Sequence, residues 1–177
     1  MNQIEKLFYE SLWNVINSGS VWNIEDCEGK VIDHARIQEV SKSDEIISFD
    51  IVYKNMDYKE PVQIEYHGDE EYLKHYRPDF VVVTCYREII IEIDGYDSHS
   101  NKEQFIHDKK RDREFFNSCI PTIRFAGSEI FKDPVKCAKE GIEILVNNYF
   151  QHEVIARDRV AILEYMRETS RNTGEKK

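Results

Sequence analysis

The stretch that decides the fold lies at residues 78–95 and reads PDFVVVTCYREIIIEIDG. Two nearly continuous runs of β-branched residues, within 78–84 and 89–95, stand on either side of four polar or turn residues. Runs of this kind are typical of strands that are buried on both faces. The stretch therefore predicts an antiparallel strand pair at the centre of a sheet.

The sequence before this pair contains one helical pattern and several extended ones. Apolar residues at helical spacing predict a first helix over about residues 3–17, with Gly19 as its stop. Within residues 31–53, two extended stretches flank the turn sequence SKSD and predict a hairpin. Residues 61–67 predict one more strand.

The sequence after the pair is mostly helical. The expected elements are a helix over residues 101–118, a short buried strand at 120–125, a helix from Asp133 and Pro134 to about Tyr149, and a last helix over about 153–170. Helices that cover the faces of one sheet are typical of α/β proteins. We therefore expect an α/β fold with a central mixed sheet flanked by helices.

Length and composition favour one globular domain. The chain has 177 residues, of which 41% are hydrophobic and 33% are charged. We expect a single domain over residues 1–170 and a disordered tail, RNTGEKK, at 171–177. The chain has four widely separated cysteines, no apolar run long enough to span a bilayer and no leader pattern at its start, so we expect a cytoplasmic protein that does not bind a membrane.

The net charge of −10 is unevenly distributed. Residues 1–73 carry 16 acidic and 6 basic residues, whereas residues 74–177 carry 18 of each. Binding to phosphates depends on Lys and Arg, so we expect a polyanion to bind the second part, which has a basic cluster at residues 102–113. A solvated helix face is the alternative reading of that cluster.

Three acidic residues stand at the ends of the central strands. Asp79 begins the first strand, and Glu92 and Asp94 lie two apart near the end of the second, where alternation directs both to one side of the sheet. Carboxylates that converge repel each other unless a basic side chain or a hard cation compensates them. Mg²⁺ suits such a group, and the alternative is that the acids are solvated at a strand end.

The same residues carry a family resemblance. Pro78 and Asp79, followed by Glu92, Ile93 and Asp94, lie between an N-terminal helix and a later helix and strand, and this order resembles the PD-(D/E)XK nuclease superfamily. The longer string YRPDFVVV…IIIEIDGYDSH…DKKRDREFF…IPTIRF is similar to small domains related to very-short-patch mismatch repair endonucleases. The resemblance covers roughly residues 3–125. It implies a restriction-endonuclease-like αβββαβ core, here with an inserted N-terminal hairpin and extra C-terminal helices.

The resemblance implies a set of metal ligands. Asp79 and Glu92 match the metal-binding acids of the family, and Glu5 matches an acid that some members place on the first helix. The implied cofactor is Mg²⁺, for which Mn²⁺ is the expected substitute.

One position departs from the family pattern. The lysine that follows the second acid by two residues is replaced here by Asp94. His99 stands where the very-short-patch enzymes place a catalytic histidine, and its ordinary pKa suits proton transfer near neutral pH. A solvated loop histidine is the alternative. Lys102 and Lys109 are further candidates for the missing positive charge.

Two more residues are candidates for binding substrate. Arg111 shares one face of its predicted helix with Asp108, and it can neutralise an acid of the site or hold a phosphate; a surface ion pair is the alternative. Gln63, on the strand before the central pair, is a polar residue that can face the same cleft.

These expectations define two functions. The first is a Mg²⁺-dependent endonuclease that hydrolyses phosphodiester bonds of DNA in repair, restriction or phage defence, with Asp79, Glu92, Asp94 and His99 as catalytic residues. The second is a catalytically impaired nuclease-fold protein that acts as a DNA-binding or protein-binding subunit. A homodimer or a partner protein is a further expectation, because one active site cuts only one strand at a time.

Overall fold

A computed structural model describes most of the chain. The described residues are 1–25, 28–55, 59–68, 71–72, 76–85, 87–95 and 102–147, with the backbone alone at 102–104. They form, in order, α1 (Gln3–Ile16), β1 (Val21–Glu25), β2 (Val31–Ser43), β3 (Ile46–Tyr53), β4 (Lys59–Tyr66), β5 (Phe80–Thr84), β6 (Glu88–Asp94), α2 (Lys102–Asn117), β7 (Thr122–Ala126), α3 (Gly127–Lys132) and a helix, α4, described over 134–147.

All seven of these strands belong to one curled mixed sheet, in the order β1 to β7. Each strand from β1 to β5 pairs antiparallel with the next, whereas β7 pairs parallel with β6. Helix α2 forms the connection between β6 and β7. Two parallel neighbouring strands need such a long crossover, because a tight turn cannot join them. The α/β class, the hairpin of β2 and β3 and the central pair of β5 and β6 are confirmed.

The two faces of the sheet are covered differently. Helix α1 contributes Phe8 and Leu12 to the main core on one face, where they join side chains of β2 to β6. On the other face, Val81, Ile90 and Phe115 form a small second cluster beneath α2. The central strands are therefore buried on both faces, as their continuous apolar runs predict.

Several elements differ from expectation. Strand β1 and the short helix α3 were not predicted. The sequence of β1, VWNIE, carries only a weak strand pattern, and this strand is stabilised by its pairing with β2. Strand β4 begins at Lys59, two residues before the predicted start. The predicted helix at 153–170 and tail at 171–177 lie outside the described residues. None of the described helices is long and apolar enough to cross a membrane.

Candidate functional site

Asp79 and Glu92 meet at one end of the central strand pair. Phe80 pairs with Ile91, so the residue before the first strand lies beside the residue that follows Ile91. Oδ2 of Asp79 accepts a hydrogen bond of 2.6 Å from the backbone N–H of Ile93. Alternation along β6 places Glu92 on the face that α2 covers, together with Ile90. The sequence prediction that these two acids converge is consistent with this register.

The environment of Asp79 favours its protonated form. Burial raises the pKa of Asp79 to about 6, and the Ile93 N–H opposes this rise by stabilising the carboxylate. The negative charges of Glu5 and Asp94 raise the pKa further, whereas Arg111 lowers it. Three acids therefore act on one another electrostatically near this strand end.

Of the two acids, Glu92 has the environment that disfavours the charged form more strongly. It is 5% exposed, and burial raises its pKa to about 7. Arg111 lowers this pKa and the charge of Asp79 raises it. Within the described part of the chain, Oε1 of Glu92 is buried and has no hydrogen-bond partner. A buried carboxylate oxygen without a donor is rare, because desolvation without a partner is costly.

Arg111 faces this acid from helix α2. Its Nη1 lies 3.6 Å from Oε2 of Glu92, and its Nη2 lies 3.5 Å from Oδ1 of Asp108. The side chain is 13% exposed, and its buried Nε has no hydrogen-bond partner among the described residues. Arg111 therefore reaches the site, as one of the two readings of the sequence predicts. Both ion pairs are long, so the guanidinium retains donors for an anionic ligand.

Arg124 is the residue that sequence reasoning missed. It lies on β7 beside Glu92 in the parallel pairing, and its Nε donates to Oδ2 of Asp94 at 2.9 Å. A second hydrogen bond joins its Nη2 to Oδ1 of Asp94, and its Nη1 donates to Oδ1 of Asp112 at 3.2 Å. The available signal was a charged residue inside the apolar strand sequence IPTIRF.

This ion pair changes the interpretation of the departure from the family pattern. Asp94 stands where the resemblance described above implies a lysine, and a guanidinium from the neighbouring strand is bound to it in a bidentate manner. The acidic substitution is therefore accompanied by a positive charge. Arg124 brings that charge to the end of β6, close enough to lower the pKa of Glu92.

Glu5 has a structural role at the start of α1. It completes a capping box with Asn2, whose backbone N–H donates to Oε2 of Glu5 at 2.6 Å. The hydroxyl of Tyr66 donates to the same oxygen at 2.9 Å. The carboxylate is thus supplied with donors, and its charge still raises the pKa of Asp79.

The other predicted residues lie at varying distances from this group. Gln63 is exposed on β4, between Ser48 and Val83 on the adjacent strands. Lys109 is also exposed, with Nζ 3.4 Å from Oδ2 of Asp112. Lys102 is the first residue of α2, and its side chain lies outside the described part, as does all of His99.

The acids fit a metal ion in part. Among the described residues, no group of three or more His, Cys, Asp or Glu side chains is arranged to hold one. Two carboxylates are nevertheless what Mg²⁺ ordinarily takes from a protein, since it keeps several waters. The unpartnered Oε1 of Glu92 and the raised pKa values of Asp79 and Glu92 are what a pair of ligand carboxylates shows without its cation.

The described site thus combines Asp79, Glu92, Asp94 and Arg111 from the sequence predictions with the added Arg124. These residues come from β6, β7, α2 and the segment before β5, so four parts of the chain converge. Such convergence of titratable groups with perturbed pKa values is typical of functional sites. In comparisons with known proteins, the chain matches no protein-family model, no curated protein and no solved structure.

Proposed function

We propose that this protein is a Mg²⁺-dependent endonuclease that hydrolyses phosphodiester bonds in DNA. The observation that carries the proposal is the pair of Asp79, which is partly buried, and Glu92, which is buried and whose Oε1 has no partner within the described residues. Both acids have raised pKa values because burial and mutual repulsion disfavour their charges. A site that disfavours two adjacent carboxylates is suited to a divalent cation.

The order of elements supports a restriction-endonuclease-like core. If β1, β2 and β3 are treated as an addition, the remaining order is α1, β4, β5, β6, α2 and β7, which reads αβββαβ. The added strands are three, one more than the inserted hairpin expected from the sequence. The candidate acids lie at the end of β6 and before β5, the positions that the family resemblance implies.

Each described residue has a role in the proposed reaction. Asp79 and Glu92 would hold the metal, which when bound supplies an activated water and stabilises negative charge on the phosphate. Arg111 binds a non-bridging phosphate oxygen through the donors that Glu92 and Asp108 leave available. Arg124 holds Asp94 in place and adds positive charge. His99 remains the proposed proton acceptor, by resemblance.

The direct test is incubation of the purified protein with supercoiled plasmid and Mg²⁺ or Mn²⁺, with EDTA as the control. We expect nicked and linear products only when the cation is present. A second measurement does not depend on activity: Mg²⁺ or Mn²⁺ should raise the melting temperature, because it relieves the repulsion between Asp79 and Glu92. Absence of both effects would contradict the proposal.

The alternative function is a DNA-binding or protein-binding subunit with an impaired site. The bidentate pair of Asp94 and Arg124 favours it, because the position of the family lysine is occupied by a neutralised acid. This alternative predicts that the plasmid stays intact with every divalent cation, and that it is bound only if the subunit is a DNA-binding one.

A further inference from the structure

The face of the sheet that carries Glu92 extends well beyond the candidate active site. On β2, Ala35 and Ile37 enter the main core, so His34, Arg36 and Gln38 lie on the opposite face. The same alternation places Val52 of β3, which pairs with Arg36, on that opposite face. Continuing across β4 and β5, this face leads to Glu92 on β6.

Helix α2 covers this face only over the central strands. Its Phe115 packs against Val81 of β5 and Ile90 of β6. Over β2 to β4, the polar side chains of Arg36, Gln38 and Gln63 are exposed. We call the part over β1 to β4, which no described helix covers, the open face.

The open face contains two cavities, and the first of them carries positive charge. At its β1 end lies a cavity of about 580 Å³ lined by Val21, His34, Arg36, Gln38, Val52, Tyr53 and Lys54. A second cavity of about 300 Å³ lies between β3 and β5 and includes Ser48, Asp50 and Gln63 in its lining. A shift in register between Gln38 and Ser41 bends β2 where the two cavities adjoin.

The first cavity offers two cations for an anionic ligand. Neither Arg36 nor Lys54 forms an ion pair with any residue that the structure describes, and no carboxylate lines the cavity. The imidazole of His34, whose Nδ1 lies 3.1 Å from Oδ1 of Asn23, also lines this cavity. The second cavity is lined by two acids, Glu39 and Asp50, and Nζ of Lys59 lies 3.2 Å and 2.6 Å from them.

This local charge contrasts with the acidity of residues 1–73. Three acids of that half, Glu5, Asp33 and Glu60, are buried and lie away from the open face, whereas a fourth buried acid, Asp50, lines the second cavity. Oδ1 of Asp33, for example, accepts a hydrogen bond of 2.9 Å from Nδ2 of Asn55. Part of the negative charge is therefore directed away from the open face, which the net count does not indicate.

We propose that the open face binds the phosphate backbone of double-stranded DNA, with Arg36 and Lys54 as the phosphate contacts. The inference rests on the proposed endonuclease function and extends it by naming where the duplex lies beyond the cut. Four strand spacings of about 4.8 Å separate β2 from β6, or about 19 Å along the sheet. At 3.4 Å per base pair, this separation equals about five to six base pairs, of which the duplex contacts the sheet only over β2 to β4, because α2 covers β5 and β6. Gln38 and Gln63 lie along that path and supply neutral donors.

The test compares two pairs of substitutions that remove equal charge from opposite faces. One protein carries Arg36→Gln and Lys54→Gln. The control carries Lys6→Gln and Lys42→Gln, since Lys6 lies on α1 and Nζ of Lys42 lies 4.5 Å above the ring of Tyr9. Affinity for a fluorescent duplex of about 30 base pairs, roughly three helical turns, is measured by anisotropy against salt, in EDTA and again in Ca²⁺.

We expect the open-face variant to lower the slope of log affinity against log salt by about 0.9 for each lost contact. At about 0.1 M salt its affinity should fall roughly 10-fold or more, whereas the control should bind like the parent. A parent-like slope and affinity in the open-face variant would overturn the inference and leave the endonuclease proposal intact. An intact plasmid combined with the expected slopes would overturn the endonuclease and support the inference.

Two further outcomes also test the endonuclease proposal and the inference about the open face. If the parent binds no duplex at all, both proposals are wrong. If a polyglutamate peptide of matched charge binds as tightly as the duplex and the open-face variant loses both, the surface is a protein-binding one and the inference is overturned. Circular dichroism of each variant establishes that it is folded before its binding is interpreted.

Discussion

Two groups of buried carboxylates in this sheet are compensated in different ways. On β2 and β4, Asp33 and Glu60 are 3% and 0% exposed, and backbone N–H groups donate to each of them. At the end of β6, Glu92 is 5% exposed but has a buried oxygen without a partner in the described residues. Burial alone therefore does not single out the candidate functional acid among these carboxylates, whereas its incomplete compensation does.

The largest expected effect concerns the reaction itself. Asp79→Asn and Glu92→Gln should each reduce plasmid cleavage on the order of 10³-fold, because several kcal/mol of charge stabilisation depend on the metal. The matched variants Asp33→Asn and Glu60→Gln change buried carboxylates of the other group and should cleave like the parent. Initial nicking rates in Mg²⁺ are the measurement. Equal rates in all four variants would remove the distinction between the two groups.

The stability of the metal-free protein should depend on pH through the same pair. The pKa values of Asp79 and Glu92 rise from 3.8 and 4.5 to about 6 and about 7 on folding. The folded chain therefore binds more protons than the unfolded chain between about pH 4 and 7, and the free energy of unfolding falls as pH rises through that window. At about 1.4 kcal/mol for each pH unit by which a pKa is raised, the two carboxyls together correspond to a loss on the order of 6 kcal/mol at most.

Urea denaturation in EDTA at a series of pH values measures this loss. Glu92→Gln should flatten the decline, because an amide does not titrate, and Mg²⁺ should restore stability above pH 7 in the parent only. Glu60→Gln serves as the control and should retain the slope of the parent. A parent whose stability rises between pH 5 and 7 would show that the two acids are compensated like those of the other group.

A smaller effect is expected for the ion pair that links β6 to β7. Arg124→Gln leaves Asp94 with neutral donors in a partly buried position and should cost about 2 kcal/mol of unfolding free energy. Asp94→Asn combined with Arg124→Gln should recover part of that cost, since no charge is then left unpaired. Urea denaturation of the two single variants and the double variant gives the coupling energy. A coupling near zero would mean that the pair does not stabilise the sheet.

The smallest effect on the free energy of unfolding is expected for Lys109, which contacts Asp112 as Arg124 does. Nζ of Lys109 lies 3.4 Å from Oδ2 of Asp112, and the two side chains are 54% and 34% exposed. Solvent screens such a pair, so Lys109→Gln should change the free energy of unfolding by at most about 0.5 kcal/mol. Comparison with Arg124→Gln under the same conditions tests whether burial determines how much an ion pair with Asp112 contributes to the free energy of unfolding. A larger loss in Lys109→Gln would contradict that view.

Much of the fold could be predicted from local patterns. The β-branched runs at 78–95 predict the central strand pair, and helical spacing predicts α1 and α2. The weak strand β1 was missed because its only strong signal is its partner, β2. Of the candidate site, Asp79 and Glu92 could be predicted, because carboxylates that converge beside buried strands repel each other unless a basic side chain or a cation compensates them.

The sequence by itself determined which residues alternate into each face of the sheet, and hence that Glu92 and Asp94 share one side. The tertiary structure determined which residues contact Glu92 and Asp94 on that side of the sheet. Arg124 reaches Asp94 only because β7 pairs parallel with β6 across the long connection through α2. Which part of a face is covered by a helix likewise depends on that crossover. Side-chain direction follows from local periodicity, whereas the partner of a side chain depends on a register between distant segments, which local periodicity does not specify.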